Sequence, residues 1–308
     1  MRAARLVSVV VPLLNEVEGV QELHRRTVAA MGDLPFELIA VDDGSTDGTA
    51  ALLVELAAAD PRFKVIALSR NFGHQAALTA GLDAAAGDCV VMMDGDLQDP
   101  PELIGSMVQA WQGGSDVVYA VRTDRQGESR FKVTTARQFY RLMSRLSNVP
   151  LAEGAGDFRL LDRRALDALL AMRERSRYLR GMTSWVGFTQ TAIPYVRETR
   201  HSGRTKYPLK KMVRFAFDAI ASFSHAPLQA ASILGFCFAL LAFAAIPVAI
   251  VMRLTGQFVP GIATVALAVL LLGGLQLMAL GVIGEYVARI YDEVKARPLY
   301  IVRERINL

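Results

Sequence analysis

The chain has 308 residues, a formal net charge of +4, 52% hydrophobic residues and two cysteines. So mild a charge balance speaks against a nucleic-acid partner and fits placement at a membrane and anionic ligands. Cys89 falls in an expected core strand and Cys237 in a long apolar stretch, which excludes a disulfide framework and fits a reducing compartment. The apolar excess lies in the last quarter of the chain, leaving about 200 residues, enough for one α/β domain with its own core.

The N-terminus is basic, but the run at 6–14 contains Pro12 and lacks a small-residue cleavage site. It reads as a strand and not as a signal peptide. Short β-branched runs at 6–11, 36–41, 64–68, 89–93 and 117–121 alternate with helical patterns at 17–31, 46–59, 75–86 and 101–112. That rhythm predicts a Rossmann-like, mostly parallel sheet. Ser45, Thr46 and Asp99 are expected helix caps, and Pro100-Pro101 suits a first turn. Ligands of such sheets sit beyond the carboxyl ends of the strands, and the polar clusters fall there: 12–16, 42–45, 69–73 and 94–99.

The last of these reads Asp94-Gly95-Asp96-Leu97-Gln98-Asp99. In extended backbone alternate side chains share a face, so Asp94 and Asp96 are expected to converge on one hard cation, Mg²⁺ or Mn²⁺. Asp43 stands where a carboxylate would accept from a uracil N3–H or ribose hydroxyls, with Asp42 and Glu16 nearby. Of two adjacent carboxylates only one points into the crevice, and Asp-Gly-Ser is also a common turn. Arg70 has two open readings, a phosphate contact or solvation of its loop. A P-loop or G-x-G-x-x-G is absent, which argues against a kinase, an NTPase or a dinucleotide oxidoreductase.

No charge occurs at 226–252 or at 254–284, and each stretch exceeds the roughly 20 residues a helix needs to cross a bilayer. Lys206, Lys210, Lys211 and Arg214 precede the first span; Arg289, Lys295, Arg297, Arg303 and Arg305 follow the second, while the turn between carries only Arg253. Both termini are therefore expected inside, in the cytoplasm, with the protein multi-pass in the inner or plasma membrane. The expected organisation is a globular domain at 1–205, an amphipathic interface helix at 206–225, spans at 226–252 and 262–284 joined by an external loop at 253–261, and a cytoplasmic tail at 285–308. The stretches at 128–148 and 208–224 are amphipathic; each lies in the headgroup plane or faces a core.

The segments Val10-Val11-Pro12-Leu13-Leu14-Asn15-Glu16, Val41-Asp42-Asp43-Gly44-Ser45, Arg70-Asn71-Phe72-Gly73-His74-Gln75 and Met93-Asp94-Gly95-Asp96-Leu97-Gln98-Asp99 together resemble family 2 glycosyltransferases of GT-A fold. Within that family the chain is similar to the polyprenyl-phosphate branch, which holds dolichol-phosphate mannose synthases, bactoprenol glucosyltransferases and the undecaprenyl-phosphate aminoarabinose transferase. Gly156-Asp157-Phe158-Arg159-Leu160 and the loop Arg204-Thr205-Lys206-Tyr207 extend the likeness over essentially the whole chain. Gly95 stands where many relatives carry Ala, and Thr205 where they carry Ser.

The resemblance implies inverting transfer of a sugar from a nucleotide sugar, UDP-glucose or a related UDP-hexose ahead of a GDP-sugar, to undecaprenyl or another polyprenyl phosphate. It implies nucleotide-sugar contacts at Pro12, Asn15, Glu16, Asp43, Arg70, Asp94 and Gly95, and metal ligands at Asp94, Asp96 and Gln98. Catalytic roles fall to Asp96, Asp157 and Arg122, with Asp157 either a sugar-hydroxyl ligand or a base. Lipid-phosphate contacts fall to Arg122, Lys132, Arg200, Arg204 and Lys206, although the last three also suit a positively charged membrane flank. A homo-oligomer is implied as well. A processive polysaccharide synthase would need a Q-x-x-R-W motif, which neither Trp111 nor Trp185 supplies. An inactive sugar-nucleotide scaffold is opposed by the intact Asp43, Asp94 and Asp96.

Overall fold

The computed structural model describes residues 2–123, 155–196, 226–255 and 261–308. Lys132, Arg200, Arg204, Lys206 and both amphipathic stretches lie outside the described residues. The described chain falls into two units, one made of 2–123, 155–196 and Pro298–Leu308, the other of 226–255 and 261–297.

The first unit is a three-layer α/β domain. Its strands are β1 (Val7–Leu13), β2 (Phe36–Asp42), β3 (Phe63–Leu68), β4 (Cys89–Met92), β5 (Val117–Arg122), β6 (Ala155–Asp162), β7 (Gln190–Tyr195) and β8 (Val302–Ile306), in the spatial order β7-β5-β6-β4-β1-β2-β3-β8. Strands β4, β1, β2 and β3 run parallel in one block. Their sequences are near-continuous apolar runs because helices cover both faces. Val7, Val9, Val11 and Leu13 of β1 share a core with Leu23 and Met31 of α1 (Val20–Met31), Leu53 of α2 (Thr49–Ala59), and Met107 and Trp111 of α4 (Ile104–Gln112). On the opposite face α3 (His74–Ala84) approaches so closely that a methyl on Gly81 would lie 2.3 Å from Val10 Cγ1.

Two departures from the sequence expectation, and one long-range pairing, bear on the site. Strand β1 continues through Pro12, which pairs with Val41 of β2 beyond the last β4 pair, Val10 with Met92, so no ladder bond to β4 is lost by the missing N–H. The fifth strand does not neighbour the fourth: β6 inserts between them, antiparallel to both. The expected caps also differ. Asp47 accepts from the Thr49 backbone N–H at 3.0 Å and the Thr49 hydroxyl at 2.6 Å, whereas Ser45 and Thr46 bond to Asn15 and Asp99 bonds to Tyr195.

Helices α5 (Arg163–Ala171) and α6 (Leu179–Trp185) follow β6. The second unit contains α7 (Ala226–Leu254) and α8 (Ile262–Val294). Both are long and apolar enough to cross a membrane, with mean hydropathy 2.6 over Ala231–Met252 and 1.5 over Leu271–Val294. Helix α8 runs ten residues past Gly284, its charged end carrying an i,i+4 pair between Arg289 and Glu285.

The C-terminal residues contribute a strand to the sheet. β8 pairs antiparallel with β3, Ser69 N–H donates to Ile301 O at 2.9 Å, and the Asn307 amide donates to Ala57 O and Phe63 O. Tyr300 donates to Asp83 of α3 at 2.6 Å, alongside Arg173 at 2.9 Å. Tyr300→Phe should therefore destabilise the domain by about 1 kcal/mol, read as a lower thermal midpoint with catalysis retained; an unchanged midpoint would show that this bond adds nothing.

Candidate active site

The antiparallel register of β4 and β6 assembles the centre of the site. Met92 stands opposite Arg159, so stepping two residues past Met92 and two back from Arg159 brings Asp94 and Asp157 together at the carboxyl end of the sheet. His74, the first residue of α3, bridges them: its Nε2 lies 3.4 Å from Asp94 Oδ1 and 3.5 Å from Asp157 Oδ2. The three residues offer ligand atoms within 4.8 Å of one another.

Asp157 is 3% exposed and gripped from the other side. Arg180 of α6 donates through Nε to Oδ1 at 2.7 Å and through Nη2 to Oδ2 at 2.9 Å, a two-bond fork that fixes orientation as well as charge. Beneath it the buried Arg159 donates to Gly156 O at 2.9 Å and to the Thr183 hydroxyl. Burial is the chief cause of the fall of the Arg159 guanidinium to about 10.

The same crowding splits the carboxylates. Burial pushes Asp94 up to about 6; His74 opposes this, and Asp157, Asp99 and Asp96 add to it. Burial also disfavours the charge on Asp157, but His74 and Arg180 outweigh it and hold its carboxyl well below the usual carboxylate range. Burial works against a charged His74 too, and is outweighed by the bond to Asp157 and the fields of Asp94 and Asp157, so the imidazole rises above its ordinary value.

The strand ends at Met92, and Gly95 and Asp96 form a turn. Asp94 and Asp96 therefore do not share an extended face as the D-x-D spacing suggested. Asp96 Oδ1 accepts from the Gln98 backbone N–H at 3.1 Å, so its side chain folds back on its own turn. A methyl on Gly95 would lie 2.4 Å from Leu13 Cδ2 and 3.2 Å from Pro12 O: the turn packs against the end of β1, and an alanine there would need the tip of Leu13 to shift.

The nucleotide-side residues mostly hold loops in place. Asp43, 3% exposed, accepts from the backbone N–H groups of Phe72 at 2.7 Å and Gly73 at 3.0 Å. Burial raises its carboxyl despite those bonds. Asp42 is fully buried and accepts from Ser45 N–H at 3.0 Å. Gly44, at φ 77°, sits where a Cβ would lie 2.8 Å from the Arg70 carbonyl carbon, so the loops after β2 and β3 touch only because it has none. Asn15 has φ 56° and its side chain accepts from Thr46 N–H at 2.8 Å; the Glu16 backbone N–H donates to the Thr49 hydroxyl at 3.0 Å. Arg70 stacks at 4.1 Å over Phe72, exposed at the rim.

Arg122 ends β5, opposite Tyr195 of β7. Its Nε donates to Tyr195 Oη at 3.0 Å, and the same hydroxyl donates to the buried Asp99 at 2.5 Å. Burial lowers the Arg122 guanidinium, but Tyr195 and Asp99 more than compensate and it is raised. Sequence reasoning singled out Arg122 and Asp157 and missed His74, Arg180, Tyr195 and the role of Asp99. His74 could have been flagged, because a residue opening a helix at the carboxyl end of a parallel strand stands where ligands bind; nothing local marks Arg180 or Tyr195.

The order of strands, the acidic crevice at their carboxyl ends and the antiparallel insertion of β6 define a glycosyltransferase of GT-A type. The chain matches the glycosyl transferase family 2 profile over residues 8–170, and it belongs to that family. It is 46% identical to an uncharacterized glycosyltransferase of Bacillus subtilis (strain 168), over 98% of this chain and 94% of that one. It is 39% identical to the SfII prophage-derived bactoprenol glucosyl transferase of Shigella flexneri, over 97% of both chains. Among solved structures it is similar to glucosyl-3-phosphoglycerate synthase from Mycobacterium tuberculosis, at 23% identity and TM-score 0.47, covering 70% of this chain and 78% of that one.

Asp94 carries a measurable cost. Raised from 3.8 to about 6, it binds its proton more tightly folded than unfolded, so stability is withdrawn as pH rises from about 4 through 6, by on the order of 3 kcal/mol when complete. Asp94→Asn should stabilise the metal-free protein at pH 8 by about 1–3 kcal/mol and leave it unchanged near pH 4. Thermal unfolding at the two pH values checks this; a variant no more stable at pH 8 would refute the buried-charge account.

Proposed function

We propose that the protein transfers a hexose from a UDP-sugar to a polyprenyl phosphate at the cytoplasmic membrane face, with inversion, giving a β-linked polyprenyl-phosphate sugar for cell-envelope glycan modification. UDP-glucose or a related UDP-hexose is the donor ahead of GDP-sugars, and undecaprenyl phosphate the acceptor. The observation that carries this reading is the joining, in one chain, of the acidic crevice around Asp94 and Asp157 to two helices long and apolar enough to span a bilayer. The end-to-end similarity to a relative named bactoprenol glucosyl transferase supports the acceptor.

The donor set fits a hard cation. Asp94 Oδ1 is buried and accepts no hydrogen bond, which is the oxygen Mg²⁺ or Mn²⁺ would take. Asp94 and Asp96 would hold it, with Gln98 on the same turn and His74 as a neighbouring nitrogen donor. When bound, such an ion supplies positive charge against a departing nucleoside diphosphate.

The protein's own residues do the rest. Arg122, kept in place by Tyr195 and Asp99, adds fixed positive charge where the diphosphate's charge develops. Asp43 sets the loop at 72–73 against the nucleotide, and Pro12, Asn15, Glu16, Arg70 and Gly95 shape that side of the crevice. Asp157 orients, since a phosphate monoester with second pKa about 6 is largely dianionic near neutral pH and needs no strong base. Lys132, Arg200, Arg204 and Lys206, with Arg122, are assigned to the lipid phosphate. The catalytic domain and both termini are inside, the spans at 226–252 and 262–284 form an antiparallel hairpin, and the working unit is a homo-oligomer.

Purified protein in detergent, given undecaprenyl phosphate, Mg²⁺ or Mn²⁺ and a panel of UDP- and GDP-sugars, should form one phosphate-linked monosaccharide lipid by mass spectrometry. EDTA should abolish it, and Asp96→Asn should reduce it roughly 100-fold or more. Nucleotide release without glycolipid would assign another acceptor, and silence across the panel would favour a sugar-nucleotide scaffold.

A further inference from the structure

We propose that Arg180 is a positioning residue of this centre: its guanidinium fork aims the Asp157 carboxylate so that one oxygen meets His74 Nε2 beside Asp94. This rests on the catalytic reading above only for the reaction in which it is measured.

The geometry is specific. Both Asp157 oxygens are engaged by the fork, at 2.7 and 2.9 Å, and Oδ2 is also the oxygen nearest His74. The fork is itself braced. Arg180 sits in the first turn of α6, whose leading N–H, on Leu179, donates to the Gln75 side chain at 2.9 Å. Gln75 is the neighbour of His74 in the first turn of α3. The starts of α3 and α6 are thereby tied directly to one another as well as through Asp157. From below, Arg159 donates to the Arg180 carbonyl at 3.4 Å and to Thr183 of the same helix, whose hydroxyl donates to the Arg180 carbonyl at 3.1 Å.

A surface arginine solvating a loop would have none of this support. Two parallel N–H···O bonds also fix the plane of a carboxylate, which an ammonium group cannot do. The element that carries Arg180 lies some twenty residues beyond β6, so its placement over Asp157 is a product of the fold and not of chain proximity.

The chain has four histidines, His24, His74, His201 and His225, so ¹³C-histidine labelling gives a readable spectrum in which His74→Gln identifies the His74 signal. Arg180→Ala should move that signal in the same direction as Asp157→Asn, with the double variant moving it no further than either alone. In the glycosyl-transfer assay Arg180→Ala should lower kcat roughly 10- to 100-fold with donor KM within about threefold, and added guanidinium ion should restore part of it. Arg180→Lys keeps the charge and most of the volume, guards against a folding defect, and should not restore kcat because it lacks the fork.

A His74 signal unmoved by Arg180→Ala, full kcat in Arg180→Lys, or losses that multiply in the Arg180→Ala/Asp157→Asn pair would overturn the inference. Wild-type protein that transfers nothing to lipid phosphate, yet shows the His74 response, would overturn the acceptor assignment and leave Arg180 in its role.

Discussion

Like charges crowd the carboxyl end of this sheet, and much of the domain's polar architecture answers that crowding. Asp96, Asp99 and Asp157 approach Asp94 closely enough to add to the rise of its carboxyl. Repulsion among them is met by basic groups brought from separate elements: His74 from α3, Arg180 from α6 and Arg122 from β5. Arg180 is held by both Asp157 oxygens and Arg122 by the Tyr195 hydroxyl, so that this part of the charge distribution is preset and not assembled by flexible side chains. A preset distribution is what favours stabilising charge as it develops on a departing group.

The compensation is unequal, and the inequality has chemical content. Asp157 receives a bidentate arginine and a histidine, and stays ionised far below neutral pH. Asp94 receives only part of that histidine's field and is left with a buried oxygen that accepts no hydrogen bond. Two carboxylates a few ångströms apart are thus driven in opposite directions, one saturated and one left wanting a positive partner. Environments that push neighbouring titratable groups apart in this way are a mark of a functional centre.

What could be read from the sequence was the part governed by local pattern. The apolar runs of β1 to β4 and the turn chemistry at Asp42-Asp43-Gly44-Ser45 and Asp94-Gly95-Asp96 announce a parallel sheet with an acidic crevice, and both are where they were expected. Strand β6 was not legible as the partner of β4, because an antiparallel insertion is decided by long-range register. Asp157 therefore looked like a residue ahead of a strand, although its position two residues before Arg159 is what places it on Asp94. Residues 298–308 were read as a tail for a similar reason: Val302-Arg303-Glu304-Arg305-Ile306 is a charged edge strand whose alternation is weak, and only pairing with β3 reveals it. Asp43 shows the converse. Its residue type suits a ligand contact, yet its two oxygens accept the backbone N–H groups of the loop that leads to His74, a role that no local pattern distinguishes.

The commitment of Asp157 to Arg180 also bears on which acceptors suit this centre. A sugar hydroxyl attacking an anomeric carbon must lose a proton, and the best base for that task titrates near the working pH. Asp157, held ionised by an arginine fork, is poorly matched to it. A phosphate oxygen arrives already deprotonated, so a site that spends its carboxylate on geometry loses nothing by doing so. The more firmly Arg180 fixes Asp157, the better the centre suits a nucleophile that brings its own charge, as the lipid phosphate of the proposed function would.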